Sequence, residues 1–140
     1  MIIAKDIKFE AAHMLSYYEG PCSNLHGHSY KGTVHIQGEQ GKVTHMVLDY
    51  NIIKEVVNEW DHALLASAPD VRDEAEDALV KWALTYGKKI MIMPEGRKCT
   101  AEDMAEVIKA QIEAVAGLDY KVSVWLKETS SATAVAGSLV

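Results

Sequence analysis

The segment Cys22-Ser-Asn-Leu-His26-Gly-His28 puts one thiol and two imidazoles within seven residues. An i, i+2 spacing separates two histidines on a helix but sets them on one face of a strand. Two neutral imidazoles on one strand face offer a pair of metal ligands, with zinc the first candidate. Six histidines in 140 residues produce about 0.25 His-x-His pairs by chance, so the spacing needs context. His13 supplies it. In the alternating run 3–13, Ile3, Ile7, Phe9, Ala11 and His13 share one face, opposite Asp6, Lys8 and Glu10. In 28–37, His28, Tyr30, Val34 and Ile36 share a face, which His26 joins if the strand reaches back to it. Two neighbouring strands would then aim three imidazoles at one point. Three protein ligands with an open fourth position are the pattern of a catalytic zinc. Three satisfied core histidines, or a zinc that only pins the fold, are the structural alternatives.

Cys22 lies four residues before His26. As a fourth ligand it would close the shell and make the site structural. As a non-ligand beside a metal and a base it could act as a thiolate. Pro21 before it and Ser23-Asn24 after it set it in a loop. Asp61-His62 follows a helical stripe directly. An aspartate can orient a histidine and raise its basicity for a proton relay, provided that the helix has ended there; otherwise His62 is a favourable partner of the helix dipole. Glu128 falls on the apolar side of the last strand. A buried carboxylate needs a partner: a protein cation, a cluster of backbone amides, or a ligand, of which an edge with two adjacent N–H groups would match it in bidentate fashion. Glu102, in a first helical turn, reads as a dipole-favoured acid.

These groups must be carried by a small α+β domain: an antiparallel sheet with helices packed on its apolar face. A length of 140 residues fits one domain spanning 1–140. The spacing predicts strands at 3–13, 28–37, 43–48, 88–93 and 120–128. It predicts helices at 51–60, 74–86 and about 101–116. The apolar stripe of the first is Ile52, Ile53, Val56, Val57 and Trp60. For the second, capped by Asp73, it is Ala75, Leu79, Trp82, Ala83 and Tyr86. The third starts at Thr100 with Asp103 and carries Met104, Ala105, Ile108, Ile112 and Val115. The tail 129–140 is expected to be loosely held. A net charge of −6 argues against nucleic acid as a partner. Apolar runs are too short to span a bilayer, and no secretory signal is expected. Two cysteines make no disulfide framework, and a cytoplasmic location is the simplest expectation.

Taken in order, Phe9-Glu-Ala-Ala-His13, Cys22-x-x-x-His26-Gly-His28, Leu48-Asp49-Tyr50, Asp61-His62-Ala-Leu-Leu, Thr100-Ala-Glu-Asp and Glu128-Thr129 resemble the 6-pyruvoyl-tetrahydropterin synthase family over nearly the whole chain. They look closest to its bacterial branch, the 6-carboxy-5,6,7,8-tetrahydropterin synthases of queuosine and 7-deazaguanine biosynthesis. The resemblance implies the tunnelling fold, a four-stranded antiparallel sheet with two helices on one side. Such subunits join their sheets into barrels, as tetramers or hexamers with active sites between subunits. It implies zinc on His13, His26 and His28, with Cys22 as general base and Asp61 and His62 completing a proton-relay group. Glu128 would anchor the pterin ring, with Thr100 and Glu102 near the same pocket. The implied substrate is 7,8-dihydroneopterin triphosphate, which loses triphosphate and, in the carboxy-forming branch, acetaldehyde. Pyruvoyl formation with the side chain retained, or a non-catalytic zinc-stabilised binding module, are the alternatives. The stretch between His62 and Thr100 departs from the compact bacterial pattern by holding the extra helix at 74–86. Cys99 stands where the family often has proline. The triphosphate is expected to meet cations from a neighbouring subunit, among Lys88, Lys89, Arg97 and Lys98.

Overall fold

The computed structural model describes Met1–Leu139. Its first two strands, β1 (Ile2–His13) and β2 (His26–Gln37), form a long antiparallel pair. The register sets Ala11 against His28 and His13 against His26. β2 therefore does reach back to His26, and its partner carries His13 directly opposite. The chain continues through α1 (Tyr50–Trp60), β3 (Ala63–Ala66), α2 (Glu74–Thr85), β4 (Ile90–Ile92), α3 (Ala101–Ala116), β5 (Lys121–Thr129) and β6 (Ala132–Ala136). The strands form one sheet in the order β4-β3-β1-β2-β5-β6. Pairing is antiparallel from β1 through β6, but β3 joins β1 and β4 joins β3 in parallel. The sheet is thus mixed, with six strands where the family pattern implied four.

One face of the sheet is apolar because every second residue of each long strand is. Ile7, Phe9, Tyr30, Val34, Ile36, Val122, Val124 and Leu126 are buried there. α1 brings Ile53, Val56, Val57 and Trp60 to this core, and α3 brings Met104, Ala105, Val107, Ile108 and Ile112. Each buried Val, Leu, Ile, Phe or Met among them contributes about 1.5–3 kcal/mol by leaving water. Phe9 stacks on its cross-strand partner Tyr30 at 4.9 Å, with Trp60 tilted against it at 5.9 Å. The Trp60 indole N–H donates to Gln111 Oε1 at 2.9 Å, tying α1 to α3. The opposite face stays open and polar. On it Glu10 accepts from Ser29 Oγ at 2.6 Å, and Asp6 accepts from Thr33 Oγ1 at 2.9 Å.

Helix starts follow their caps. Asp49, Asp73 and Thr100 each accept a backbone N–H of the first turn. Four further expectations need correction. Residues 43–48 form no strand: Gly41 N–H donates to Met46 O and His45 N–H to Gly41 O, closing a local turn. β1 and β5 already flank β2, so no edge is left for them. Of the predicted α2 face only Ala83 is fully buried. Glu76, Val80 and Ala83 are buried while Trp82 and Tyr86 are exposed. The Glu76 carboxylate accepts Ser67 N–H at 2.7 Å, which turns that side of the helix inward. On α3, Val115 is exposed. The tail is not loose, for β6 adds an edge strand to β5, with Val140 outside the described residues. β3 carries no periodic signal in the sequence, because its four residues, Ala-Leu-Leu-Ala, show no alternation.

Candidate active site

His13, His26 and His28 come together at the His26 end of β2, on the helix-covered side of the sheet. One ligand atom from each lies within 4.8 Å of the others. His13 is fully buried. Its Nδ1 meets Cys99 O at 2.7 Å, and His26 Nδ1 meets Asn24 O at 2.7 Å. A carbonyl only accepts, so both Nδ1 atoms carry the proton and both Nε2 atoms keep a lone pair. Those two Nε2 atoms are 3.1 Å apart. His28 Nε2 is buried without a hydrogen-bond partner among the described residues. Three buried or half-buried imidazoles, two held in the ligating tautomer and one with an orphaned nitrogen, could hold a metal ion of the zinc type. Burial lowers the pKa of His13, and the neighbouring imidazoles add to this; the Cys99 carbonyl and Glu128 act against it. The buried ring is thereby kept in the neutral form that a metal needs.

Glu128 joins the cluster from β5. Its Oε1 lies 3.4 Å from His13 Nε2 and 3.6 Å from His28 Nε2. Tyr30 OH donates to the same oxygen at 3.4 Å. Burial, then the charge of Glu128, pushes the Tyr30 phenol up, so it stays protonated as a donor. Sequence reasoning put Tyr30 on this face but gave it no role. The signal was its place two residues after His28.

Cys22 sits in a 3-10 turn, Pro21–Ser23. Its carbonyl accepts Leu15 N–H at 3.0 Å, which folds the loop back beside the end of β1. The thiol is free and half-buried, and it falls outside the group of three convergent ligand atoms. Thr100 caps α3, accepting Asp103 N–H at 3.2 Å, and directly follows the Cys99 carbonyl that turns His13. Glu102 is exposed in the first turn of α3.

Asp61 and His62 are paired, Asp61 Oδ2 lying 3.0 Å from His62 Nδ1. α1 has ended at Trp60, as the pairing requires. Asp61 Oδ1 accepts Glu10 N–H at 2.9 Å, and His62 N–H donates to Glu10 O at 2.6 Å. The Glu10 N–H, then His62, holds the Asp61 carboxyl below the usual range. His62 borders a cavity of about 620 Å3 with Glu10, Ala12, Ser29 and Leu64. Its imidazole is largely exposed there, whereas His13 is sealed under the helices.

The candidate cations are mostly engaged within the chain. Arg97 pairs with Asp103 at 2.8 Å, and Lys98 Nζ lies 3.5 Å from the centre of the Tyr17 ring. Lys89 Nζ donates to Asn58 O and Asp61 O, each at 2.6 Å. Lys88 lines the same cavity as His62. The carbonyls of Cys99, Asn24 and Asp61 were invisible to motif reading, because any residue type supplies one.

Comparison with known proteins identifies the family and the fold. Residues 2–137 match the family model described as 6-pyruvoyl tetrahydropterin synthase. A 6-carboxy-5,6,7,8-tetrahydropterin synthase of Haemophilus influenzae is 32% identical over 114 residues, covering 76% of this chain and 77% of that one. The protein of the same name from Aquifex aeolicus is 31% identical over 157 residues, covering 93% and 94%. The Synechocystis protein of that name is 36% identical over 90 residues, covering 58% and 70%. The 6-pyruvoyl tetrahydropterin synthase structures from Plasmodium vivax and Caenorhabditis elegans share the fold. Their TM-scores are 0.65 and 0.64 at 18% and 20% identity; the alignments cover 100% and 99% of this chain, and 99% and 95% of theirs.

Proposed function

Because the chain belongs to the 6-pyruvoyl tetrahydropterin synthase family, we propose that it converts 7,8-dihydroneopterin triphosphate to 6-carboxy-5,6,7,8-tetrahydropterin. Triphosphate and acetaldehyde are the other products. The relatives named for this product motivate the choice. The product would serve queuosine and 7-deazaguanine synthesis. The observation that carries the reading is the meeting of three imidazole nitrogens with the Glu128 carboxylate at the end of one sheet face.

His13, His26 and His28 would hold zinc, which supplies Lewis-acid stabilisation of a developing oxyanion. Glu128 would accept two adjacent N–H groups of the pterin ring, fixing the side chain relative to the three histidines. Cys22, on its turn beside β1 and outside the ligand set, would take a carbon-bound proton as thiolate. His62, oriented by Asp61 through Nδ1, would return or relay a proton at Nε2. Thr100 and Glu102 would stand at the rim, Thr100 next to the carbonyl that turns His13. His62 borders the open-face cavity and His13 lies under the helices, so a dyad serving a neighbouring copy's Cys22 fits a homo-oligomer with sites between subunits. Lys88 is the cation in that cavity not bound to a backbone carbonyl, and it would meet the triphosphate.

Incubation of zinc-loaded protein with dihydroneopterin triphosphate, followed by product mass, tests the reading. The carboxypterin with acetaldehyde is expected. A product retaining the three-carbon side chain would indicate the pyruvoyl-forming reaction, and no turnover with zinc bound would indicate a binding module.

A further inference from the structure

We propose that Lys89 is a positioning residue for the Asp61–His62 dyad, and that delivering its ammonium is what the extra α2 segment does for the site. The proposal rests on the reading that the dyad moves protons. His62 has φ 57, in the left-handed region that residues with a Cβ enter at a cost. Such a conformation persists only where surrounding contacts over-determine it. Two contacts come from β1: Glu10 O takes the His62 N–H, and Glu10 N–H binds the Asp61 carboxylate. Both restrain the turn from one side.

The other side is the C-terminal end of α1. Its last carbonyls lack helical partners, and its own last turn holds no basic residue. Lys89 fills that gap. Nζ bridges Asn58 O, in the last turn of α1, and Asp61 O, the carbonyl of the peptide bond leading into His62, at 2.6 Å each. A cation at a helix C-terminus is also favoured by the dipole. The Lys89 backbone is itself fixed, since its carbonyl accepts Leu64 N–H at 3.0 Å and Ile90 then pairs with Leu64. The ammonium therefore hangs from the sheet ladder two residues beyond His62. The chain leaves β3 at Ala66, passes through α2, and returns through Lys88, whose N–H caps α2 at Ala83 O. The excursion ends by placing Lys89 on the turn. Among the causes that keep Asp61 ionised, after the Glu10 N–H and His62, is the charge of Lys89.

The test compares Lys89→Met, Lys89→Arg and His62→Asn in the zinc-loaded full chain. It measures kcat, KM, metal content and amide exchange at Asp61 and His62. A displaced catalytic group costs up to about 100-fold, so Lys89→Met should lower kcat about 10- to 100-fold with KM and metal content unchanged. Amide exchange at Asp61 and His62 should quicken. Arginine, whose fork can also bridge two carbonyls, should restore most of kcat. If Lys89→Met keeps wild-type kcat while His62→Asn is inactive, the latch is wrong and the dyad reading stands. If Lys89→Met loses metal together with activity, the effect is global and the proposal is overturned. If His62→Asn turns over normally, the dyad reading falls and takes this inference with it.

Discussion

The Nε2 atoms of His13 and His26 stand 3.1 Å apart, each ring aimed by a backbone carbonyl on its Nδ1. Two lone pairs this close repel unless a proton or a cation lies between them. Replacing His26 by alanine removes one of three convergent nitrogens and should abolish tight zinc binding. Metal content after dialysis, read by atomic absorption, checks this.

Cys22 stands outside the convergent set. Cys22→Ala should retain zinc stoichiometry while kcat falls about 10²- to 10⁴-fold, the range of a lost general base. Loss of zinc in this variant would instead make the thiol a ligand and the site structural.

The two thiols should differ in reactivity. Cys99 is fully buried, and burial pushes its thiol up, whereas Cys22 is half-buried in a loop. Iodoacetamide at neutral pH should label Cys22 and leave Cys99 unmodified until the chain unfolds, as peptide mass mapping would show.

The pH dependence of the metal-free protein follows from His13. Its folded pKa lies below the unfolded value, mainly through burial. The unfolded chain therefore takes up this proton first as pH falls below about 6.5, and stability should decline from there downward. Zinc binds only the neutral rings, so it should raise Tm strongly at about pH 7.5 and weakly at about pH 5. Thermal melts with and without zinc at the two pH values decide it.

Asp73 Oδ1 accepts both Glu76 N–H and Ser16 Oγ, tying the α2 start to the loop after β1. Asp73→Ala should cost about 1 kcal/mol, seen as a lower Tm. The Glu76 N–H, then Ser16, holds the Asp73 carboxyl below its usual range. That contribution is present above about pH 4 and is lost as pH falls through the lowered pKa, so the Asp73→Ala difference should shrink in acid.

The sequence by itself determined which residues can do chemistry and which strands carry them. Alternation in 3–13 and 28–37 put His13, His28 and Tyr30 on apolar faces, because a strand repeats every two residues and one face must leave water. Caps at Asp73 and Thr100 fixed two helix starts for an equally local reason. What lay beyond local patterning was decided by tertiary structure. The Ala-Leu-Leu-Ala strand depends on β1, far back in the chain; β6 pairs with the strand just before it and Glu76 turns inward onto the Ser67 N–H, partners that neither alternation nor spacing marks. The same holds for the site. The carbonyls of Cys99 and Asn24 select the tautomers of His13 and His26, and Lys89 grips Asp61 from 28 residues away. Backbone carbonyls have no residue signature, so only the folded chain shows which of them face a ring or an ammonium.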